Sequence, residues 1–386
     1  MMKVLTTMYT MRQGGSYDRF RMALEALLER GCEVHCLSLT PIQFGHSHYY
    51  NHLVFSPSMT GILAKASVLL IFPWLTLLIA WRERIDLFLS FGSLYAFTQS
   101  ISKLLLRKPM VTLIRADTGR GLIKPIEYIG LKFSDRILTV NTSLQSKIMD
   151  LIGTGKNGEV KVLPNNVPEI PAPVHNDHHR ARLDLGIPED AKVLVTAGPV
   201  THGKNIHFLI RFLRRIDRED LFLEIFGDAF SKADLRYRDA LKDLVKSSGL
   251  EKRVIFAGWF KKNELWRRLR AADLFISSSL SEGMPNSTLE ALGCGLACFG
   301  SRIPGLQDIL LYEELMFDPW DDRFLAEKIN RFFSDDYYYR FIIHLCEERR
   351  KALTFDWKTR LYEMVNEKRL HEFGVKGDAQ GMDIRP

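Results

Sequence analysis

The chain has 386 residues, of which 46% are hydrophobic and 26% charged, so it can bury a sizeable core and is not a disordered chain. This length predicts two or three domains. Five cysteines are too few and too scattered for a disulfide scaffold, and they favour a reducing compartment. The net charge of +7 lies entirely within residues 1–170. It favours an anionic partner such as a membrane surface over nucleic acid, for which no motif is present.

The first part of the chain alternates between strand-like and helix-like stretches. Predicted strands cover 4–10, 33–39, 86–91, 110–114 and 136–140, and predicted helices cover 17–29, 94–106 and 144–152. This alternation is typical of a parallel sheet with helical crossovers. It predicts a Rossmann-like domain over residues 1–168.

One uncharged segment, 66–81, reads ASVLLIFPWLTLLIAW. It is shorter than the roughly 20 residues of a membrane span, and Pro73 stands in its middle. Three interpretations stay open: a core helix, a helix lying in the membrane interface, and a span. Trp74, Trp81 and the arginines that follow the segment favour the interface over the span. The N-terminus has no signal-peptide pattern, so a cytoplasmic protein is expected.

Four prolines between positions 164 and 173 interrupt the alternation and predict a linker over 169–176. After it the alternation restarts. Predicted strands cover 193–197, 221–226, 254–257 and 274–278, and predicted helices cover 206–216, 235–245, 265–271, 327–333, 338–350 and 357–370. A second Rossmann-like domain is therefore expected over 177–354. A helix within 355–373 is expected to pack back on the first domain, followed by a frayed tail over 374–386.

The strongest local signal is the run SEGMPNSTLEALGCG at 281–295, which directly follows a predicted apolar strand. Pro285 and Asn286 favour a helix start there, so the free N–H groups of its first turn would offer a seat for a phosphate. Glu282 then lies in the loop before the helix, and Glu290 lies about one turn inside it. The alternative is that these acids only stabilise the helix dipole.

Two glycine-containing loops also follow predicted strands. In GPVTHGKN at 198–205, Lys204 is well placed for a diphosphate, although a lone lysine is more often simply solvated. In MRQGGS at 11–16, Gly14 and Gly15 would let the backbone approach a ligand closely. The histidines lie in polar stretches with no completing carboxylate or thiolate spacing, so we predict no metal site.

Together these motifs resemble a retaining glycosyltransferase of family four. That resemblance implies an α/β fold of the GT-B type, with two facing, doubly wound Rossmann-like domains and C-terminal helices. The run at 281–295 is similar to the E-x7-E motif of the family, with Glu282 and Glu290 in the two acidic positions. Further matching segments are SRIPGLQD at 301–308, LPNNV at 163–167, FDW at 355–357 and the Gly14-Gly15 turn.

The resemblance implies transfer of a hexose from a UDP- or GDP-linked sugar, the co-substrate, without a metal or a cofactor. It implies that Glu282 contacts the donor sugar, Glu290 binds the ribose, and Lys204 holds the diphosphate together with backbone amides. The implied donor-binding set is Gly14, Gly15, Lys204, Asn205, Gly283, Met284, Pro285, Asn286, Ser287, Thr288 and Glu290.

Two of the departures from the family pattern concern the charges of the site. Pro199 stands where an arginine usually follows the glycine that opens the lysine loop. In TLIRAD at 112–117, Arg115 stands where the family often has a histidine facing the reacting centre. Arg115 is expected to replace the missing charge, with Asp117 near the acceptor, so Glu282, Arg115 and Asp117 are the candidate catalytic residues. The alternative for Arg115 is an ordinary exposed side chain.

The implied acceptor is a lipid-linked molecule or a glycan at the inner face of the cell membrane. The basic first domain is expected to dock peripherally on that anionic surface, through the segment 66–81 and eight cations between Lys103 and Arg136. Two other functions stay open: a sugar-nucleotide epimerase of the same fold, and a membrane-attached scaffold without activity.

Overall fold

The computed structural model describes residues 1–8, 15–54, 69–116, 124–153, 160–171 and 177–372. The chain divides into two units. In the described part, the first unit comprises Met1–Pro164 with 356–372, and the second comprises Asn165–Phe355. Each unit is built on one sheet, and the predicted alternation of strands and helices is confirmed in both.

The first unit contains a seven-stranded parallel sheet in the order β3-β2-β1-β4-β5-β6-β7. Its strands are β1 Lys3–Met8, β2 Glu33–Ser38, β3 Tyr49–Leu53, β4 Leu87–Ser90, β5 Met110–Ile114, β6 Arg136–Thr139 and β7 Val160–Val162. Its helices before residue 164 are α1 Gly15–Leu28, α2 Phe72–Arg82, α3 Ser93–Leu106, α4 Lys124–Phe133 and α5 Thr142–Ile152. The strand order reverses between β1 and β4, which is where open α/β sheets bind ligands.

The second unit contains a six-stranded parallel sheet in the order β10-β9-β8-β11-β12-β13. Its strands are β8 Lys192–Ala197, β9 Leu221–Phe226, β10 Val254–Gly258, β11 Leu274–Ser277, β12 Ala297–Ser301 and β13 Met316–Phe317. Its helices are α6 Asp177–Leu185, α7 Ile206–Arg215, α8 Lys232–Ser247, α9 Lys262–Ala271, α10 Asn286–Gly293, α11 Pro304–Leu310, α12 Asp322–Ser334 and α13 Asp336–Ala352. Here the order reverses between β8 and β11.

The uncharged segment forms α2 from residue 72 onward, while residues 66–68 lie outside the described ranges. One face of α2 is buried in the core of the first unit, where Phe72 and Ile79 pack with side chains of the sheet. The other face exposes Trp74 and Trp81, at 64% and 69% of their surface. None of the helices described reaches the length and hydropathy that a membrane crossing requires. The helix is therefore a core helix on one side, and its other side is an exposed apolar face.

The boundary between the units lies earlier than the predicted end of the first domain at 168. Residues 165–171 belong to the second unit. Asn165 Nδ2 donates to the Met284 carbonyl at 2.8 Å, and the Val167 amide donates to the Leu353 carbonyl at 2.9 Å. These buried hydrogen bonds attach the last residues of the predicted first domain to the second unit, while residues 172–176 of the predicted linker fall outside the described part.

The helix Trp357–Glu372 belongs to the first unit and packs against α1. Arg136 at the start of β6 donates to the Met364 carbonyl at 2.7 Å and forms a buried ion pair with Glu367. Lys161 lies 3.1 Å from the same carboxylate. A charged pair that is this well enclosed must stay paired, because an isolated buried charge is costly. The predicted tail, 374–386, lies outside the described residues.

Replacing Glu367 tests this attachment. Glu367→Ala leaves the buried Arg136 guanidinium without its carboxylate and is expected to lower the free energy of unfolding of the first unit by about 3–5 kcal/mol. Denaturant titration followed by circular dichroism measures it. Glu363→Ala, on the same helix and half exposed, is the matched control and is expected to change that free energy by less than about 0.5 kcal/mol. Equal effects of the two substitutions would contradict the assigned role of Glu367.

Candidate active site

Two loops of the second unit meet at the point where its strand order reverses. The loop 198–205 follows β8, and the loop 278–285 follows β11. Since β8 and β11 are paired in parallel, both loops leave the same edge of the sheet from adjacent strands. This position is the usual ligand site of an open α/β sheet, and it brings together the lysine loop and the carboxylate loop that the sequence predicts.

Lys204 and Glu282 form an ion pair at this point. Lys204 Nζ lies 2.6 Å from Glu282 Oε1, and the Ser279 hydroxyl donates to the same oxygen at 2.9 Å. Both charged side chains stay partly exposed, at 17% and 19% of their surface. The pair therefore presents a cation and a carboxylate to a ligand from one location, with each side chain already oriented by the other.

Backbone hydrogen bonds fasten the two loops to each other. The Leu280 amide donates to the Gly203 carbonyl at 2.8 Å, and the Ser278 hydroxyl donates to the Lys204 carbonyl at 2.9 Å. The Ser301 hydroxyl, at the end of β12, donates to the Ser279 carbonyl. The site is thus preorganised, because its two charged residues stand on loops that cannot shift independently.

Two glycines make this close packing possible. Gly198 has φ +135°, and a side-chain carbon there would lie 2.8 Å from Lys204 Cε. A side-chain carbon at Gly305 would collide with the Gly283 carbonyl and lie 2.5 Å from the Glu282 carbonyl oxygen. Gly305 is the residue that lets α11 approach the carboxylate loop, a role that the sequence motif alone does not show.

Helix α10 begins directly after the carboxylate loop. Its N-cap residue, Pro285, provides no side-chain acceptor, so the N–H groups of the first turn are not capped by that residue. Asn286 and Ser287 are partly exposed there, and Glu290 is partly exposed one turn further on. This helix start is electrostatically suited to an anion beside Lys204.

Several predicted donor-binding residues are buried and cannot offer their side chains to a ligand. Asn205 is fully buried in the left-handed conformation, with φ +53°, and its Nδ2 donates to the Pro319 carbonyl. The Met284 sulfur accepts a hydrogen bond from the Asn165 amide, and the Thr288 side chain is fully buried. These three side chains hold the loops in place, so the predicted donor contacts of these residues, which stay predictions, would have to come from their backbone.

An aromatic pair at the same edge was not found from the sequence. Trp259 follows β10 and Phe230 lies beyond the end of β9. Half of the surface of each residue is exposed. The ring centroids lie 5.9 Å apart, with an interplanar angle of 75°. For Trp259, the signal that could have revealed it is its position directly after the glycine that ends β10, Gly258.

The predicted residues of the first unit are only partly covered by the structure. Gly15 begins α1, and Arg115 follows β5, whereas Gly14 and Asp117 lie outside the described residues. The Arg115 side chain is partly exposed, but its Nε is buried and has no hydrogen-bond partner. Burial, together with the nearby charge of Arg19, lowers the pKa of Arg115 to about 9. Arg115 is therefore not an ordinary surface arginine.

The described ranges contain no group of three or more His, Cys, Asp or Glu side chains that could hold a metal ion. Among the predicted site residues of the second unit, the charged side chains are Lys204, Glu282 and Glu290, and the start of α10 adds N–H donors.

Comparison with known proteins finds a family match within the second unit. Residues 177–351 match the family described as glycosyl transferases group 1. This match lies within the second unit, and the predicted resemblance to glycosyltransferases is confirmed at that level.

Curated relatives resemble part of the chain. It is 26% identical over 228 residues to an uncharacterized glycosyltransferase of Methanocaldococcus jannaschii. It is 30% identical over 201 residues to the lipopolysaccharide core biosynthesis glycosyltransferase LpsD of Rhizobium meliloti. These regions cover 58% and 52% of this chain and 57% and 53% of the relatives. The chain thus spans about half the length of the curated relatives it matches.

Solved structures resemble the chain over nearly its whole length. The structure of HepE from Anabaena in complex with UDP has a TM-score of 0.75 at 16% identity, and the alignment covers 97% of this chain and 100% of that chain. This likeness confirms the predicted fold class, GT-B with two Rossmann-like domains. At this identity it concerns the fold alone, so the roles assigned to Glu282 and Glu290 stay predictions.

Proposed function

We propose that this protein is a retaining glycosyltransferase that moves a hexose from a UDP- or GDP-linked sugar to a lipid-linked or glycan acceptor. The observation that carries the proposal is the Lys204–Glu282 pair, placed at the strand-order reversal of a glycosyl transferases group 1 domain. The named relative in lipopolysaccharide core biosynthesis and the UDP complex of the fold neighbour support the acceptor and donor classes.

The chemical demand of this transfer is charge on the departing diphosphate. Lys204 supplies a cation, and the first turn of α10 supplies N–H donors, so developing negative charge meets groups that are already oriented. Binding of the diphosphate draws Lys204 Nζ away from Glu282. The carboxylate is then available to accept hydrogen bonds from the hydroxyls of the donor sugar. These groups supply the charge stabilisation that a metal would otherwise give, so we propose a metal-independent reaction.

The remaining donor contacts are proposed for residues at the same carboxyl edge of the second sheet. Trp259 and Phe230 offer exposed rings on which the nucleobase can stack. Glu290, one turn inside α10, is assigned to the ribose hydroxyls. The donor is thus assigned to the second unit, and the acceptor to the first unit, which contains Arg115.

The experiment that tests the proposal is transfer or hydrolysis assayed across a panel of nucleotide sugars with Glu282→Gln. Glutamine keeps the shape of the side chain and removes its charge, so the fold is expected to survive. Turnover is expected to fall about 10²-fold, the scale of losing one transition-state contact. The ratio of product formed by the variant and by the wild type measures this loss.

Glu251→Gln provides the matched control, since Glu251 is exposed just before β10, at the opposite edge of the sheet. It should leave turnover unchanged. Transfer by Glu282→Gln at the wild-type rate would contradict the role of Glu282. A wild-type protein that binds no nucleotide sugar at all would favour the inactive scaffold instead.

We also propose that the first unit docks peripherally on an anionic membrane at the cytoplasmic face. Helices α2 and α3 pack beside each other, and both end at the amino edge of the sheet, because they lead into β4 and β5. The two helices and the two residues before α2 carry large exposed apolar side chains, which are Leu70, Ile71, Trp74, Leu78, Trp81, Leu104 and Leu105. Exposed apolar side chains on two neighbouring helices, beside cations, suit the interface of a lipid bilayer.

The cations that serve this docking are fewer than the sequence suggests. Lys103 is paired with Asp135 at 2.9 Å, and Arg136 is buried against Glu367. The cations left at this edge are Arg84, Arg107 and Lys108, for which the structure gives no ion pair among the described residues. Each contributes about 1 kcal/mol near an anionic leaflet, so the apolar face carries most of the proposed affinity.

Replacing the two exposed tryptophans of α2 tests the docking. Trp74→Glu/Trp81→Glu adds charge to the apolar face without touching its buried side, so binding to phosphatidylglycerol vesicles is expected to fall at least tenfold in a sedimentation assay. Trp320→Glu, on an exposed tryptophan of the second unit, is the control and should bind as the wild type does. If the double variant still sediments fully at low salt, the docking proposal is wrong.

A further inference from the structure

Arg115 is a cation of the first unit for which the described residues supply no neutralising acid. It follows β5 at the carboxyl edge of the sheet, the edge at which parallel α/β sheets bind ligands. Its Nε is buried without a hydrogen-bond partner, and no carboxylate pairs with its guanidinium in the part of the chain that the structure describes. A buried guanidinium N–H that meets no acceptor is a costly arrangement unless a ligand supplies one.

A second arginine, Arg19, lies near Arg115. Arg19, on α1, is almost completely buried, and its guanidinium lies 5.5 Å from the ring centroid of Trp357. The charge of Arg19 acts on Arg115 and, with burial, lowers its pKa. The first unit therefore places two positive charges near each other, which favours an anionic ligand at Arg115.

The donor of the proposed function has its own cation in the second unit, Lys204, and its own helix start at α10. The basic site of the first unit is assigned to a different ligand. Arg115 stays partly exposed, so a ligand can reach its guanidinium, whose planar fork fits a phosphate through two parallel hydrogen bonds.

We propose that Arg115, with Arg19 beside it, binds a phosphate group carried by the acceptor. This inference rests on the proposed transferase function and adds that the acceptor is a phosphorylated molecule. The phosphate can belong to a membrane lipid phosphate or diphosphate, or to a soluble sugar phosphate. Both present the same oxygens to the guanidinium, and the experiment separates them.

The first measurement uses inorganic pyrophosphate as the probe and thermal unfolding of the full chain as the readout. It is made in a Lys204→Ala background, which removes the cation of the donor site. Pyrophosphate is expected to raise the Tm of this variant by about 2–4 °C and to leave the Tm of Lys204→Ala/Arg115→Met unchanged. Lys204→Ala/Arg236→Met, which removes an exposed arginine of α8, is the control and should respond like Lys204→Ala.

Stability without ligand separates a binding role from a structural one. Arg115→Met removes an unpaired cation and keeps much of the side-chain volume, so its Tm without ligand is expected to equal or exceed that of the wild type. Arg115→Lys keeps the charge without the fork and should recover part of the pyrophosphate response. A Tm of Arg115→Met well below the wild type, or a full pyrophosphate response in that variant, would overturn the inference.

The second measurement identifies the source of the phosphate. Binding of farnesyl diphosphate is compared with farnesol, and binding of glucose 1-phosphate is compared with glucose. At least one phosphorylated ligand should bind about tenfold or more tightly than its alcohol, and Arg115→Met should abolish that difference. If neither pair shows a difference, the inference is wrong. UDP binding to Arg115→Met keeps the two proposals apart, because it tests the donor site without the acceptor site.

Discussion

The ion pair between Lys204 and Glu282 is the interaction on which the proposed chemistry depends. Neither residue would be useful without the loops that bring it to the reversal point of the second sheet. Those loops require Gly198 and Gly305, because a side chain at either would occupy the space of the lysine side chain or of the carboxylate loop. The backbone hydrogen bond from Leu280 to Gly203 then makes the two loops one structural element. Preorganisation of this kind is what electrostatic catalysis requires.

Much of the fold could be predicted because buried parallel strands are short apolar runs bounded by turn residues. Strands β8 and β11 and the carboxylate motif after β11 follow this rule, so the sequence places Glu282 and Lys204 correctly on loops at strand ends. Three edge strands, β3, β7 and β13, were not predicted, because none of them is an apolar run of ordinary strand length. β3 reads YYNHL and carries no apolar run, while β7 and β13 have only three and two residues.

What the sequence could not show are pairings between residues far apart in the chain. From the sequence, Lys103 and Arg136 both count as free cations. In the fold, Lys103 pairs with Asp135, and Arg136 pairs with Glu367 of the last helix. The burial of Asn205 and Met284 is also a tertiary effect, since a loop motif does not reveal which side chains turn inward. The surroundings of Arg115 are also a tertiary effect. The sequence places Arg115 where the family often has a histidine, and the fold encloses it partly and brings a second arginine, Arg19, near it.

The central claim is that Lys204 binds the diphosphate of a nucleotide donor, and calorimetric titration of UDP against uridine, and of GDP against guanosine, tests it most directly. For one of the two bases the diphosphate should bind wild-type protein at least about tenfold more tightly than the nucleoside, since a charged hydrogen bond contributes about 1.5–3 kcal/mol. Lys204→Ala should remove most of that difference and leave nucleoside binding unchanged, whereas Lys252→Ala, on an exposed lysine, should preserve it. Equal losses of diphosphate and nucleoside binding in Lys204→Ala would contradict the account.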